Sequence, residues 1–376
     1  MKLRYSVLVL LILALLLCGC TQTQKPTTQP TQKTTTATTE MTTQTKVVRI
    51  YGSGATFPQP QVEKWISTYE RVNPNVKIEY VGKGSGGGQN DFKEGLVDFA
   101  MSDPPVKENL WKELEKKGQP LQFPIIIGAV VVVYNVPSVD NLRLDGKTLA
   151  DIFMGKIEYW DDPAIKALNP NANLPHEKII VIHRSDSSGT TKIFTTYLCL
   201  VSKEFEEKVG SGKLVNWPVD KVGRGLGGKG NAGVVAILKK TEYSIAYTEL
   251  AYALKENLKM VALKNKAGNF VIANETTIKS AVSAVKAYIP SPEEGYKENI
   301  RQFLNAEGEN SYPIVAFSHA LVWKSYPKEK AKAIKDFFTW VLTEGQKPEN
   351  IVEGYVGLPK DVAEIGLKAV QSIEGV

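Results

Sequence analysis

The chain of 376 residues contains little cysteine and little histidine, with three residues of each. Cys18 and Cys20 lie close to the N-terminus, so Cys199 stands alone in the rest of the sequence. No internal disulfide and no cysteine-based metal site can therefore form in the main part of the chain. The three histidines lie outside any recognisable catalytic motif, which weighs against metal-dependent and nucleophilic enzymes. We predict no catalytic residue, no metal and no cofactor.

The sequence also lacks a strong excess of charge of one sign. It has 46 basic and 40 acidic residues, a formal net charge of +6. Acidic residues are interspersed among the lysines, as in KELEKKG at residues 112–118. This mixture is typical of a solvated surface rather than a nucleic-acid-binding patch. We therefore expect no nucleic-acid partner.

The N-terminal apolar run, Val7 to Cys18, is too short to span a bilayer and follows Lys2 and Arg4. This pattern predicts a signal peptide over residues 1–19. The sequence LCGC at residues 17–20 resembles a lipobox, which makes Cys20 the predicted lipid-attachment residue; an ordinary secretory signal is the alternative. Residues 20–46 then hold the lipid-anchored cysteine and a Thr/Gln-rich stalk. We expect an extracytoplasmic protein, lipid-anchored to the outer face of the cell membrane.

From residue 47 onward, short β-branched segments alternate with segments of helical periodicity. VEKWISTYE (62–70) and TKIFTTYLCLV (191–201) read as helices. The predicted strands are VVRIY, VKIEYV, VDFAM, FPIIIGAVVVVYNV, KIIVIH, YSIAYTE and YPIVAFSHALVW. This alternation predicts an α/β architecture with mainly parallel sheets flanked by helices, and the length favours two domains. Ligands of such folds bind at the carboxyl ends of the strands.

Three polar segments follow predicted strands and could bind an anion. Thr56 and the Phe57 amide lie in a Gly-rich loop before a helix, and Ser85 lies among glycines in GKGSGGG. Backbone amides at a helix N-terminus favour anions. Asp103 follows a strand and precedes two prolines. Each segment alone is also typical of an ordinary turn, so its meaning depends on the others.

The fourth segment is HRSDSSGT, residues 183–190, between a predicted strand and a predicted helix. Arg184 has the planar guanidinium that suits an oxyanion, and Asp186 could hold it in place. We expect His183 to face the opposite side of the strand. An ordinary strand-to-helix turn with a serine or aspartate cap is the alternative. The residues predicted in the first helical turn are Ser187, Ser188, Gly189 and Thr190.

Motifs of nucleotide and acyl chemistry are incomplete. Gly82, Gly84 and Gly87 fit G-x-G-x-x-G, but this pattern alone is weak and export removes the protein from cellular NAD. GRGLGGKG ends in Gly230 where a P-loop requires serine or threonine for magnesium. The G-x-S-x-G elbow of serine hydrolases is missing from the HRSDSSGT segment. Nucleotide-dependent and hydrolytic functions are therefore disfavoured.

Six segments occur together in a specific order and spacing. They are GSGATFP (52–58), GKGSGGG (82–88), VDFAMSD (97–103), LDGKTLADIFMGKIEYWDDPAIKALNP (144–170), RSDSSGT (184–190) and GLGGKGNAGV (225–234). In this combination the sequence resembles the phosphate-binding receptors of ATP-driven phosphate importers, members of the periplasmic-binding-protein class. The resemblance extends from about Val47 to the C-terminus. Two positions depart from the family pattern: Gly86, where a second serine is common, and Ser187, where glycine is common.

The resemblance implies a two-lobed periplasmic-binding-protein-like fold, in which each lobe is a mainly parallel sheet flanked by helices and two crossover strands join the lobes. Residues 47–129 plus 283–376 would form lobe I and residues 130–282 lobe II. Asp186 would support the arginine, and Ser187 could add a hydroxyl near the site. The implied phosphate ligands are Thr56, Phe57, Ser85, Asp103, Arg184, Ser188, Gly189 and Thr190.

The implied function is high-affinity binding of inorganic phosphate and its delivery to the permease subunits of an ABC transporter. Asp103 would accept a proton that phosphate keeps near neutral pH and that sulfate lacks. We expect a monomer. A receptor for sulfate, molybdate or tungstate is the alternative of the same fold, and an exported phosphate-ester hydrolase is the enzymatic alternative.

Overall fold

The computed structural model describes residues 46–286 and 288–376. These described residues belong to one compact unit. The predicted signal peptide, Cys20 and nearly all of the predicted stalk lie outside the described residues. Among the helices of the described part, none is long and apolar enough to cross a membrane.

The described residues form fourteen β-strands and thirteen α-helices. The strands are β1 Val48–Gly54, β2 Val76–Gly82, β3 Phe99–Ser102, β4 Pro120–Asn135, β5 Arg143–Leu144, β6 Ile180–Arg184, β7 Gly225–Gly228, β8 Ser244–Glu249, β9 Lys259–Met260, β10 Ala262–Lys264, β11 Phe270–Val271, β12 Val315–Trp323, β13 Ser325–Tyr326 and β14 Glu374–Gly375. The helices are α1 Gln59–Val72, α2 Gly84–Lys93, α3 Glu108–Glu115, α4 Gly146–Phe153, α5 Pro163–Leu168, α6 Gly189–Val201, α7 Lys203–Lys208, α8 Pro218–Lys221, α9 Gly230–Lys240, α10 Leu250–Lys255, α11 Glu275–Ser283, α12 Lys328–Leu342 and α13 Lys360–Gln371. The seven predicted strands and both predicted helices are confirmed, with small differences at their ends.

A nine-stranded sheet organises the fold, in the order β2-β1-β3-β12-β4-β8-β6-β7, with β9 also paired to β4. Strands β1, β2 and β3 run parallel to one another, and so do β6, β7 and β8. Strand β12 is antiparallel to both β3 and β4, and β4 is antiparallel to β8. The sheet is therefore mixed, with a parallel group on each side of the long central strands.

Strand β4 connects the two groups. Nine of its first ten residues pair with β12, and its last six pair with β8. Every residue of β4 except Asn135 is buried, which accounts for its uninterrupted apolar sequence. Ile126 belongs to one apolar core and Ile127 to another, so the change of core occurs between consecutive residues.

The two cores define the two-lobed fold. One core contains the contacting aromatic residues Phe153, Phe194, Trp217 and Tyr247. The other contains Trp65, Phe99, Phe337 and Phe338. The exact lobe boundaries stay a prediction.

The parallel strands bring their carboxyl ends together. In one group the strands end at Gly54, Gly82 and Ser102, and in the other at Arg184 and Gly228. Each of these five ends leads into one of the polar segments that the sequence singles out. The topology thus gathers segments that are far apart in the chain.

Candidate functional site

The loop after β1 is held by three tyrosine hydroxyls. Tyr80, Tyr252 and Tyr355 donate hydrogen bonds of 2.7, 2.7 and 2.6 Å to the successive carbonyl oxygens of residues 55–57. The donors come from β2, from α10 and from the segment before α13. Because all three carbonyls are fixed, the orientations of the intervening amides, including that of Phe57, are fixed as well.

Asp103 is buried at the end of β3 and has hydroxyl partners on both carboxylate oxygens. Ser318 Oγ donates to Oδ1 over 2.8 Å, and Ser85 Oγ donates to Oδ2 over 3.3 Å. Burial raises the pKa of Asp103 to about 7, while the bonds from Ser318 and Ser85 and the charge of Arg184 oppose the rise. The carboxyl therefore exchanges a proton near neutral pH.

Two consecutive side chains of β12 contact Asp103 at different atoms. His319 Nδ1 lies 3.0 Å from the Asp103 carbonyl oxygen, and Ser318 contacts the carboxylate. The pairing of β12 with β4 shifts between Ser318 and His319, where β4 carries the extra residue, Ile125. Burial lowers the pKa of His319 to about 4, which leaves this ring neutral.

On the other side, Arg184 at the end of β6 is buried and pairs with Asp186. Arg184 Nε and Nη2 donate to the two carboxylate oxygens over 2.7 and 2.5 Å. Burial would raise the pKa of Asp186, but the bonds from Arg184 and the Gly230 N–H outweigh it and hold the pKa below its usual value. Arg184 Nη1 donates to Thr190 Oγ1 over 3.3 Å. The guanidinium is thus fixed in position with its charge balanced locally.

Helix α6 begins at Gly189, two residues later than the sequence predicts. Ser188 is the N-cap, and its Oγ accepts a bond of 3.1 Å from the Thr191 N–H. Ser187 therefore lies before the helix, and the prediction that Ser187 and Ser188 belong to the first turn is wrong. The reason is that the Ser188 hydroxyl takes the capping position. As an acceptor, it keeps its own hydrogen for a ligand.

The two sides meet closely at this helix end. A β-carbon on Gly189 would overlap Asp103 Oδ2 and Ser85 Oγ and would lie 2.7 Å from Asp103 Cγ. The Gly86 N–H donates a bond of 2.9 Å to the Ser187 carbonyl oxygen. Gly86 and Ser187, the two positions that depart from the family pattern, are therefore in contact.

Asn231 is a site residue that the sequence reasoning did not single out. Its backbone and side-chain N–H groups donate to Thr56 Oγ1 over 3.2 and 3.1 Å, and its side chain also donates to Thr190 Oγ1 over 3.3 Å. Thr248 holds the amide by donating to Oδ1 over 3.3 Å. Asn231 lies at the start of α9 inside the GLGGKGNAGV segment. Its position in that segment is the feature of the sequence that could have indicated its role. With this link, the structure brings the predicted phosphate ligands and Asp186 together, whereas Cys20 lies outside the described residues.

Two cavities flank the site and carry lysines. One of about 200 Å³ is lined in part by Lys83 and Lys229, next to Asp186. The other, of about 500 Å³, is lined in part by Lys107, Lys192 and Lys213. Burial first and the charge of Lys107 second lower the pKa of Lys213 to about 8. Because the lysines of each cavity outnumber its carboxylates, both cavities favour the approach of an anion.

The remaining histidines do not approach the site as catalytic bases would. His183 Nε2 lies 2.8 Å from Asp220 and its ring stacks on Trp217 at 5.4 Å, away from the Arg184 side chain. His176 is exposed and pairs with Asp161. Within residues 46–286 and 288–376, no group of three or more His, Cys, Asp or Glu side chains could hold a metal ion.

Comparisons with known proteins agree with this geometry. The model of the PBP superfamily domain matches residues 24–344. The chain is 62% identical over 332 residues to the phosphate-binding protein PstS of Methanocaldococcus jannaschii, covering 86% of this chain and 85% of the relative. It is 44% identical over 323 residues to the PstS protein of Pasteurella multocida, covering 85% and 89% of the two chains.

Solved structures show the same fold at lower identity. A high-affinity periplasmic phosphate-binding protein, PfluDING, bound with phosphate, aligns with a TM-score of 0.66 at 20% identity over 88% of this chain and 99% of its own. The phosphate-binding protein of Stenotrophomonas maltophilia aligns with a TM-score of 0.64 at 16% identity over 86% and 94%. Fold and site thus define a two-lobed binding protein of the PBP superfamily. Within that class, the chain belongs to the family of phosphate-binding proteins called PstS.

Proposed function

We propose that this protein binds inorganic phosphate outside the cytoplasm and delivers it to the permease subunits of an ABC phosphate importer. The observation that carries the proposal is the contact of a buried, protonatable carboxyl, Asp103, with the start of α6, next to the buried Arg184 at the end of β6. Such a site suits a small oxyanion that retains a proton. The protein binds and releases its ligand and breaks no bond in it.

The proposed phosphate ligands surround one position between the two sides. Arg184 supplies the charged donor, with Asp186 as its support. First-turn amides of α6 have no internal acceptor and can donate to an anion. The complete proposed set is Thr56, Phe57, Ser85, Asp103, Arg184, Ser188, Gly189 and Thr190. Asn231 positions Thr56 and Thr190 from behind.

The expected affinity follows from the number of donors. A hydrogen bond that involves a charged group contributes about 1.5 to 3 kcal/mol net. Several such bonds can offset desolvation and lobe closure and still leave the roughly 8 kcal/mol that corresponds to micromolar binding. Micromolar or tighter affinity is therefore expected.

Asp103 provides discrimination between phosphate and sulfate. Phosphate near neutral pH can donate its proton to the carboxylate, whereas sulfate is fully ionised and would bring its oxygens against an acceptor. Unpaired acceptors facing each other in a buried site cost several kcal/mol. Molybdate and tungstate would face the same acceptor as sulfate does. Tight binding of one of these anions is therefore the competing outcome of the test below.

We further propose how the chain divides into two lobes and how it is attached to the membrane. Residues 47–129 plus 283–376 would form lobe I and residues 130–282 lobe II, with phosphate in the cleft between them. Residues 1–19 would be a signal peptide, and Cys20 would carry the lipid that anchors a monomeric receptor to the outer face of the membrane. Tethering raises the local concentration of the receptor near its permease.

Calorimetry tests the binding function. The phosphate-free protein is titrated with phosphate, sulfate and molybdate at pH 9, well above the pKa of about 7 of Asp103, so that this carboxyl is charged. We expect phosphate to bind at least a hundredfold more tightly than the other two anions. Equal affinities would refute the role of Asp103, and preference for sulfate or molybdate would favour the alternative receptor. Incubation with a chromogenic phosphate ester should show no turnover, and turnover would support the hydrolase.

Replacement of Arg184 tests the site itself. Arg184→Ala should weaken phosphate binding at least tenfold, because the only guanidinium of the proposed ligand set is removed. Arg143→Ala is the matched control, since Arg143 lies in β5 and its guanidinium packs over the ring of Phe270 instead. Unchanged affinity in Arg184→Ala, or equal losses in both variants, would contradict the assignment.

A further inference from the structure

The start of α2 contacts the segment before α6. This contact leaves no room for a side chain at Gly84 or Gly86 of α2. A β-carbon on Gly86 would overlap Ser187 Oγ and lie 2.5 Å from Ser187 Cβ. A β-carbon on Gly84 would lie 2.5 Å from Asp186 Oδ2 and 2.7 Å from the Ser187 carbonyl oxygen. Real β-carbons do not approach other atoms this closely, so glycine at both positions is what allows the contact.

This contact joins the two sides of the molecule. Helix α2 packs on β1 and β3, whereas α6 packs on α4 and β8. The hydrogen bond from the Gly86 N–H to the Ser187 carbonyl oxygen, 2.9 Å long, therefore links elements from the two strand groups. Such a bond can form only while the two sides are closed on each other.

Ser187 differs from its neighbours in what its side chain does. Ser188 caps α6, and Asp186 pairs with Arg184, whereas the Ser187 side chain fills the space that Gly86 leaves. Ser187 is half-buried, and no hydrogen bond of its hydroxyl to any proposed ligand residue is found among the described residues. Its side chain is thus fitted to α2.

We infer that Ser187 and Gly86 form a complementary pair that sets how far the two lobes close on phosphate, with Ser187 acting as a positioning residue rather than a phosphate ligand. The inference rests on the proposed function, because closure is useful to the protein only if it encloses a ligand. The space between the backbones of these two residues holds one side chain but not two.

The pair predicts a specific pattern in a double-mutant cycle of Gly86→Ser and Ser187→Gly. Gly86→Ser should weaken phosphate binding at least tenfold, because two side chains then compete for one space and the lobes cannot close fully. Ser187→Gly alone should change the affinity by less than about threefold. The double variant should return to within about threefold of Ser187→Gly, because the space again holds one side chain.

The measurements are phosphate calorimetry and small-angle X-ray scattering of the full chain, with and without inorganic phosphate. The matched control is Gly87→Ser on the same helix, whose β-carbon would also be crowded, 2.8 Å from Lys83 Cβ, but by a residue of its own segment and not by Ser187. We expect phosphate to compact the wild type, Ser187→Gly, the double variant and the Gly87→Ser control, but not Gly86→Ser. Thermal unfolding confirms that each variant is folded. If Gly86→Ser does not fold, Ser187→Leu places the same obstacle on the other side and leaves α2 unchanged.

The outcomes separate the inference from the proposed function. A wild type that binds no phosphate refutes the proposed function. If the wild type binds and Gly86→Ser binds as tightly, the inference is wrong while the function stands. A tenfold loss in Ser187→Gly that persists in the double variant would show that the Ser187 hydroxyl contacts phosphate, which also overturns the inference.

Discussion

Replacing Asp103 by asparagine should stabilise the phosphate-free protein at high pH, although it removes a proposed ligand. Burial raises the pKa of this carboxyl from 3.8 to about 7. The folded state therefore holds the proton more tightly than the unfolded chain, and the carboxyl destabilises the protein increasingly as the pH rises from about 4 to about 7. At about 1.4 kcal/mol per pH unit, the full cost above pH 7 is about 4 kcal/mol.

Asparagine has the shape of the protonated carboxyl and no charge to bury. Its Oδ1 can still accept the bond from Ser318, and its amide can donate to Ser85 Oγ in place of the bond that Asp103 accepts there. The free energy of unfolding of Asp103→Asn should therefore exceed that of the wild type by up to about 4 kcal/mol at pH 8 and by little at pH 4.5. The exposed Asp361 provides the control, because Asp361→Asn makes the same chemical change without removing a buried carboxyl.

The assay is urea denaturation of phosphate-free protein, followed by circular dichroism at pH 4.5, 6 and 8. The difference between Asp103→Asn and the wild type must grow with pH. A variant that is less stable than the wild type at pH 8, or a difference that is the same at all three pH values, would show that Asp103 is not held in an environment that penalises its charge. A stabilising effect of Asp103→Asn that does not change with pH would then need a cause other than the removal of a buried charge.

Three further predictions concern residues around the site. Asn231→Ala should weaken phosphate binding about tenfold, measured by calorimetry, because Thr56 and Thr190 lose their common donor; a change below twofold would contradict this. Arg224→Ala should lower the free energy of unfolding by about 3 kcal/mol in urea, because three buried carbonyl oxygens lose their donor, while phosphate affinity stays the same. Glu249→Gln should raise the free energy of unfolding increasingly as the pH rises, since burial raises the pKa of Glu249 above its usual value and the folded state penalises its charge; a difference from the wild type that does not grow with pH would contradict this.

The individual strands and the polar segments that follow them could be predicted from the sequence because both depend on local patterns. The buried run of β4 has the uninterrupted apolar character of a strand covered on both faces. Thr56, Ser85 and Arg184 each follow a strand that the sequence pattern identifies, and parallel strands bring such positions to one edge.

Contacts that depend on the meeting of distant segments could not be predicted. Ser318 reaches Asp103 from 215 positions further along the chain, and nothing in the local pattern of either segment indicates the contact. The start of α6 at Gly189 depends on which of several adjacent polar side chains takes the cap, and Ser188 does so. The contact between Gly86 and Ser187 exists only in the closed arrangement of both segments.

The charges around the site nearly cancel, and this determines how the anion must be held. Arg184 and Asp186 form a doubly hydrogen-bonded pair without net charge, and Asp103 adds a negative charge whenever it loses its proton. Attraction between net charges cannot then be the main source of affinity, so the donors of backbone and hydroxyl groups must supply it. Such donors are short and fixed, and their hydrogen bonds weaken steeply when the geometry is poor. The glycine and the small side chain at the contact between Gly86 and Ser187 are therefore as important to binding as Arg184. They decide whether the donors of both lobes reach the ligand together.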